Sequence, residues 1–166
     1  LRPSRYAEAD KFFGFAATEF GEYSDSTALL EKVSSWVGTR LNYVPGSSDP
    51  IDGAADTLLA GAGVCRDFAH LALTFCRCMN IPARYCTGYL GDIGVPRDPA
   101  PMDFSGWFQA YLSGQWHTFD ARHNVPRAGR ILMGTGRDAA DVALTTSFGR
   151  MDLVKFFVIS DEVTPA

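Results

Sequence analysis

No stretch of this chain approaches the ~20 consecutive apolar residues that a membrane-spanning helix needs, and lysines and arginines nowhere gather into a block. The first absence argues against a bilayer span. The second, with a formal net charge of −4 and a pI of 5.3, removes the electrostatic reason to expect nucleic acid or an anionic membrane as partner. No secretory leader pattern is visible, and a cytoplasmic location is expected. The chain opens on Leu1 rather than methionine, which leaves room for a longer parent or a cleaved leader. Internal repeats and low-complexity tracts are also missing. Cysteine is sparse: Cys65, Cys76, Cys78 and Cys86 lack the paired spacing of a structural zinc site. The run Arg137–Asp141 lacks the spacing of a calcium loop. No metal and no cofactor are expected.

What is present is a globular composition. Apolar residues make up 46% of the 166 positions and charged residues 20%, with 12 Phe, 6 Tyr and 3 Trp, which excludes a disordered chain. One domain of this length buries about 70% of its unfolded surface, so a single core suffices without disulfide staples. Cys76, Cys78 and Cys86 then read as small core residues.

Residues 7–19 read as a helix that Gly21 can stop. A second helix starts at Asp25 or Ser26, either of which can cap it. It carries Leu29, Leu30, Val33, Trp36, Val37 and Leu41 at helical spacing. Residues 45–50 form a loop and 54–60 a short helix ending at Gly61. The segment from Cys65 to Met79 is apolar on nearly every face and reads as a buried central helix. Strands are expected at 83–90, 104–112, 115–121 and 151–159, with a long loop at 91–102 and a mixed stretch at 122–150. Helices first and hairpin-linked strands later favour an α+β fold with an antiparallel sheet packed on the central helix.

Cys65 is the residue that physics singles out. It follows Gly61-Ala62-Gly63 and opens the central helix. Unpaired N–H groups and the positive end of the helix dipole gather there. That setting favours a thiolate, and the same N–H groups suit an oxyanion hole. Arg66 and Asp67, next in line, read as a solvated or capping pair.

The segment GAGVCRDFAHLALTFCRCMNIPARYCTGYL resembles the nucleophile motif of the bacterial transglutaminase-like superfamily, whose members are often described as cysteine proteases. MDFSGWFQAYLSGQWHTFDARHNVPRAGR resembles its second motif, as does GRDAADVALTTSFG. The likeness runs from about Tyr6 to the C-terminus. It implies a papain-like, transglutaminase-core fold: one catalytic core domain over residues 1–166, excised from a longer chain with a β-rich N-terminal domain. It also implies a Cys–His–Asp triad acting on a peptide or protein substrate. The Cys matches Cys65 and the Asp matches Asp120. The family's His stands in an H-A-W element, which here reads Ser105-Gly106-Trp107, so Ser105 occupies the His position.

A two-residue turn at Ser113-Gly114 pairs Tyr111 with Trp116 and Trp107 with Asp120. Strand parity then puts Ser105, Trp107, Asp120 and Arg122 on one face and His117 on the other. His123 lies just past the strand and is not the family's triad His. His70 reads as a buried structural residue. Trp107 and Trp116 are core aromatics or, alternatively, line a cleft for an extended peptide.

The leading functional reading is a transglutaminase-like cysteine hydrolase or acyltransferase that forms a Cys65 thioester from an amide, impaired by Ser105. The alternative is a non-catalytic module whose cleft binds a peptide or partner. A thiol redox or zinc protein is a third reading.

Overall fold

The computed structural model describes residues 1–163. A 3-10 turn at Ala9–Lys11 leads into helix α1, Phe13–Phe20. Helix α2, Ser26–Arg40, starts where the Asp25 carboxylate accepts the Ala28 N–H at 2.7 Å. Its apolar positions Leu29, Leu30, Val33 and Val37 share one buried stripe. Strand β1, Asn42–Tyr43, pairs in parallel with strand β2, Ala62–Gly63. Helix α3, Ala54–Ala60, lies between them in sequence and ends at Gly61 with φ 65°, a left-handed position that suits glycine.

Helix α4, Cys65–Cys78, is the centre of the molecule, and every residue from Asp67 to Arg77 is buried. Val64 at its N-cap has no side-chain oxygen. Asp67, three residues on, accepts the Val64 N–H at 2.7 Å instead. Helices α1, α2 and α3 and strands β3 and β4 of the sheet all pack against α4. Phe75 sits among Phe12, Phe15, Phe20 and Trp36 with ring centroids 5.3–5.7 Å away, an aromatic seam that joins α1 and α2 to the centre. Arg77 is buried near the helix end. It donates to the carbonyls of Arg2, Ala83 and Arg137 and to the Ser4 hydroxyl, so one guanidinium ties three separate segments together.

The main sheet is antiparallel, with strand order β5-β4-β3-β6. Its strands are β3 (Ala83–Leu90), β4 (Ser105–Leu112), β5 (Gln115–Phe119) and β6 (Arg130–Gly136). The β4–β5 turn has positive φ at Ser113 and Gly114, as a tight two-residue hairpin requires. Tyr111 pairs with Trp116 and Phe108 with Phe119, the expected register. The expected α+β architecture is observed.

The strand expected at 151–159 is a correction. This segment has no regular structure, and Leu153, Val154 and Phe157 are exposed. The free edge of β3 is taken instead by β6, from the stretch read only as mixed. An apolar run rich in Val and Phe supplies strand propensity but no partner. In β6, Ile131-Leu132-Met133 run together without alternation, and Gly134 and Gly136 lower strand propensity, so the true strand was hidden.

Candidate active site

Strand β5 stops at Phe119, so Ser105–Trp107 at the start of β4 have no partner on that side. The Cys65 thiol, at the first position of α4, fills this gap. Its Sγ accepts the Gly106 N–H at 3.3 Å, and its S–H donates to the Phe104 carbonyl at 3.8 Å. Cys65 opens on a cleft of about 950 Å³, bordered by Tyr43, Tyr85, Asp103, Ser105, Arg122 and His123 among others.

The helix-end argument predicts a lowered thiol pKa, and the structure corrects it. Burial pushes the Cys65 thiol up. The Gly106 N–H and the Arg122 charge pull it back, while Asp103 and Asp120 push it further up. Asp67 also takes up the positive helix end that the expectation reserved for a thiolate. The resting group is a protonated thiol. Cys76 and Cys86 are fully buried and pushed up to about 12; Cys78 is pushed up to about 11, and its thiol donates to Ala9 O at 3.3 Å. All four cysteines are free.

Asp120 follows β5, opposite Trp107 by extension of the observed register. Its Oδ1 accepts the backbone N–H groups of Arg122 at 3.0 Å and His123 at 3.3 Å. Its Oδ2 meets His123 Nδ1 at 2.9 Å and the Arg130 guanidinium. Burial raises the Asp120 pKa, but the His123 hydrogen bond and the Arg130 charge outweigh it and hold the carboxyl well below the usual carboxylate range. The Asp120 carbonyl accepts the Asn124 N–H at 2.8 Å, and the Ser34 hydroxyl on α2 donates to Asn124 Oδ1 at 2.9 Å, so the turn is anchored from behind.

Ser105 borders the cleft beside Cys65, as its place before Gly106 dictates. The two tryptophans do not border it. Trp107 is buried beneath the Arg130 guanidinium, 5.0 Å from the ring centre, and Trp116 packs between Tyr111 and Arg84. Arg66 pins the loop at the cleft rim, donating to the Ser48 hydroxyl at 2.7 Å and Asp49 O at 2.6 Å. Arg122 stacks on Tyr43, 3.5 Å from the ring centre. Sequence reasoning passed over Tyr43, Tyr85, Asp103 and Arg130, which come from distant segments that no local pattern connects. His70 stacks between Tyr6 and Tyr85, and its Nε2 accepts the Ala139 N–H at 3.1 Å, so its role is structural. Among the described residues no cluster of three or more His, Cys, Asp or Glu side chains is placed to hold a metal ion.

The chain is similar to a candidate cysteine protease from Cytophaga hutchinsonii, whose crystal structure superposes with a TM-score of 0.82 at 41% identity over 90% of this chain and 50% of that one. The periplasmic domain of TgpA from Pseudomonas aeruginosa shares the fold, with a TM-score of 0.55 at 22% identity over 70% of this chain and 45% of that domain. An uncharacterized protein from Mycobacterium leprae is 31% identical over 147 residues, 86% of this chain and 52% of that protein. One from Mycobacterium tuberculosis is 30% identical over 137 residues, 77% of this chain and 44% of that protein. The chain thus spans about half the length of the curated relatives it matches. The pattern of the transglutaminase-like superfamily matches residues 15–121, from α1 to the turn that holds Asp120, and the chain belongs to that family.

Proposed function

We propose that this domain is a cysteine-dependent hydrolase or acyltransferase acting on amide bonds of peptide or protein substrates. One observation carries the reading: the Cys65 thiol opens on the cleft at the head of a buried helix, on the side of the molecule where Asp120 is held ionised. In this reading Sγ attacks the amide carbonyl carbon, and the first-turn N–H groups of Cys65 and Arg66, which have no intrahelical acceptor, receive the developing oxyanion. The C–N bond breaks and the amine departs with a proton. Water then releases an acid from the thioester, or an amine takes the acyl group as a new amide.

Peptide-amide turnover, followed both as hydrolysis and as amine incorporation, tests the proposal. Cys65→Ala should abolish both, and a variant that kept its turnover would overturn it. Ser105 favours a second reading, a cleft that binds peptide without turnover. Peptide binding with no turnover and no acyl-enzyme in the native chain would select it.

A further inference from the structure

We propose that His123 is the catalytic imidazole of this site, held at Nδ1 by Asp120 and presenting Nε2 to the cleft that Cys65 opens on. The proposal rests on the reading of the domain as a cysteine hydrolase or acyltransferase, and it supplies the base which that reading lacks at position 105.

Four observations converge on this ring. First, Asp120 is an ionised carboxylate, which only accepts hydrogen bonds. The 2.9 Å contact from His123 Nδ1 therefore places a proton on Nδ1, so that the neutral ring carries its lone pair on Nε2, the tautomer a general base needs. Second, His123 borders the same cleft as Cys65 and Ser105, and about a quarter of its side chain is exposed. No hydrogen bond among the described residues occupies its Nε2. Third, the Asp120 carboxylate already accepts four hydrogen bonds, two on each oxygen. A ring at position 105 would find its acceptor sites taken, whereas the Asp120–His123 pair is complete as it stands. Fourth, the other two histidines are excluded. His70 is fully buried with Nε2 engaged by Ala139, and His117 pairs with the buried Ala110, on the opposite face of the hairpin from Asp120.

The charged and titratable groups around the pair are few. Asp120 bonds the ring, and Arg130 shares the same Asp120 Oδ2. Arg122, Asp103, Asp120, Tyr43 and Tyr85 act on the thiol. The Arg127–Asp92 ion pair stands farther along the cleft. Arg122 is a fixed cation that favours the thiolate but neither takes up nor releases a proton at neutral pH. The proton therefore passes from Sγ to Nε2 as the S–C bond forms. The imidazolium returns it to the departing nitrogen as the C–N bond breaks. In deacylation Nε2 takes a proton from water, the oxygen bonds to the acyl carbon, the C–S bond breaks, and the proton goes back to sulfur.

The test is the rate of iodoacetamide alkylation of Cys65, mapped by mass spectrometry from about pH 5 to about pH 10. The native chain should show a reactive limb at lower pH than the rise of a lone thiol. His123→Ala should remove that limb and slow alkylation at neutral pH roughly 10²-fold. His123→Asn, which can still bond Asp120 and so keeps the turn, should lose the limb as well. His117→Ala, on the opposite face of the hairpin, should keep the native profile. A native profile without the limb, or one unchanged by both His123 variants, would overturn the proposal. The readout needs no substrate. Loss of Cys65-dependent turnover would refute the functional reading by itself, and an unchanged alkylation profile would refute His123 by itself.

Discussion

His70 is a ring with nothing to gain from a proton. It is fully buried between Tyr6 and Tyr85, its Nε2 accepts from Ala139, and burial lowers its pKa to about 3. The folded value lies below the ~6.5 of a free histidine, so below that pH the unfolded chain binds the proton first. The stabilising contribution is complete above pH ~6.5 and is lost as pH falls toward 3, with about 2 kcal/mol gone at pH ~5. Asp120 acts lower still. Its folded pKa is depressed, so its contribution is present above about 3.9 and is lost only as pH falls below that. The urea midpoint should therefore fall between pH 7 and 5, and His70→Gln, which can still accept from Ala139, should flatten that fall while keeping the one below pH ~4. An equally steep fall in the variant would contradict the assignment. Position 105 obeys the same local logic. Ser105→His alone should change Cys65 alkylation little, because Asp120 is fully engaged; Ser105→His combined with His123→Ala should recover part of what His123→Ala loses. Adding the family's alanine at 106 would not help. A Cβ there would lie 2.3 Å from the buried Tyr85 hydroxyl, so Gly106→Ala should destabilise the fold and shift the backbone that meets Cys65.

At the scale of elements, α4 carries the design and Arg77 holds its far end. Its buried guanidinium serves carbonyls from the N-terminal segment, the start of β3 and the turn after β6. Arg77→Met should cost about 3 kcal/mol, because it leaves those buried carbonyls unpaired. A thermal or urea midpoint within error of the native one would contradict this. The elements also show what could be read from sequence and what could not. The α4 start, the hairpin register and the places of Cys65, Ser105 and Asp120 follow from short-range rules: a helix preceded by glycines, a two-residue turn, alternation along a strand. His123 did not follow, because strand parity ends at Phe119. Beyond it the chain turns, Asn124 bonds back to Asp120, and the i, i+3 geometry of that turn folds the imidazole onto the carboxylate. The swap of 151–159 for Arg130–Gly136 has the same root, since local pattern does not say which segment a sheet edge will take.

For the whole molecule, the site is a convergence rather than a motif. The head of α4, the start of β4, the turn at 120–124 and the loop pinned by Arg66 all meet at one cleft. The helices and the sheet that pack against α4 fix that meeting point. Family membership assigns the scaffold, and the proposed chemistry rests on the thiol of Cys65, which opens on the cleft. The most direct test of that claim is intact-mass analysis of the chain after a brief reaction with an activated acyl ester, with the label mapped by peptide. The account predicts one acyl group, on Cys65, that hydroxylamine removes, that Cys65→Ala does not acquire, and that His123→Ala acquires more slowly. Acyl label spread evenly over Cys65, Cys76, Cys78 and Cys86, or no acyl-enzyme on Cys65 at all, would contradict it.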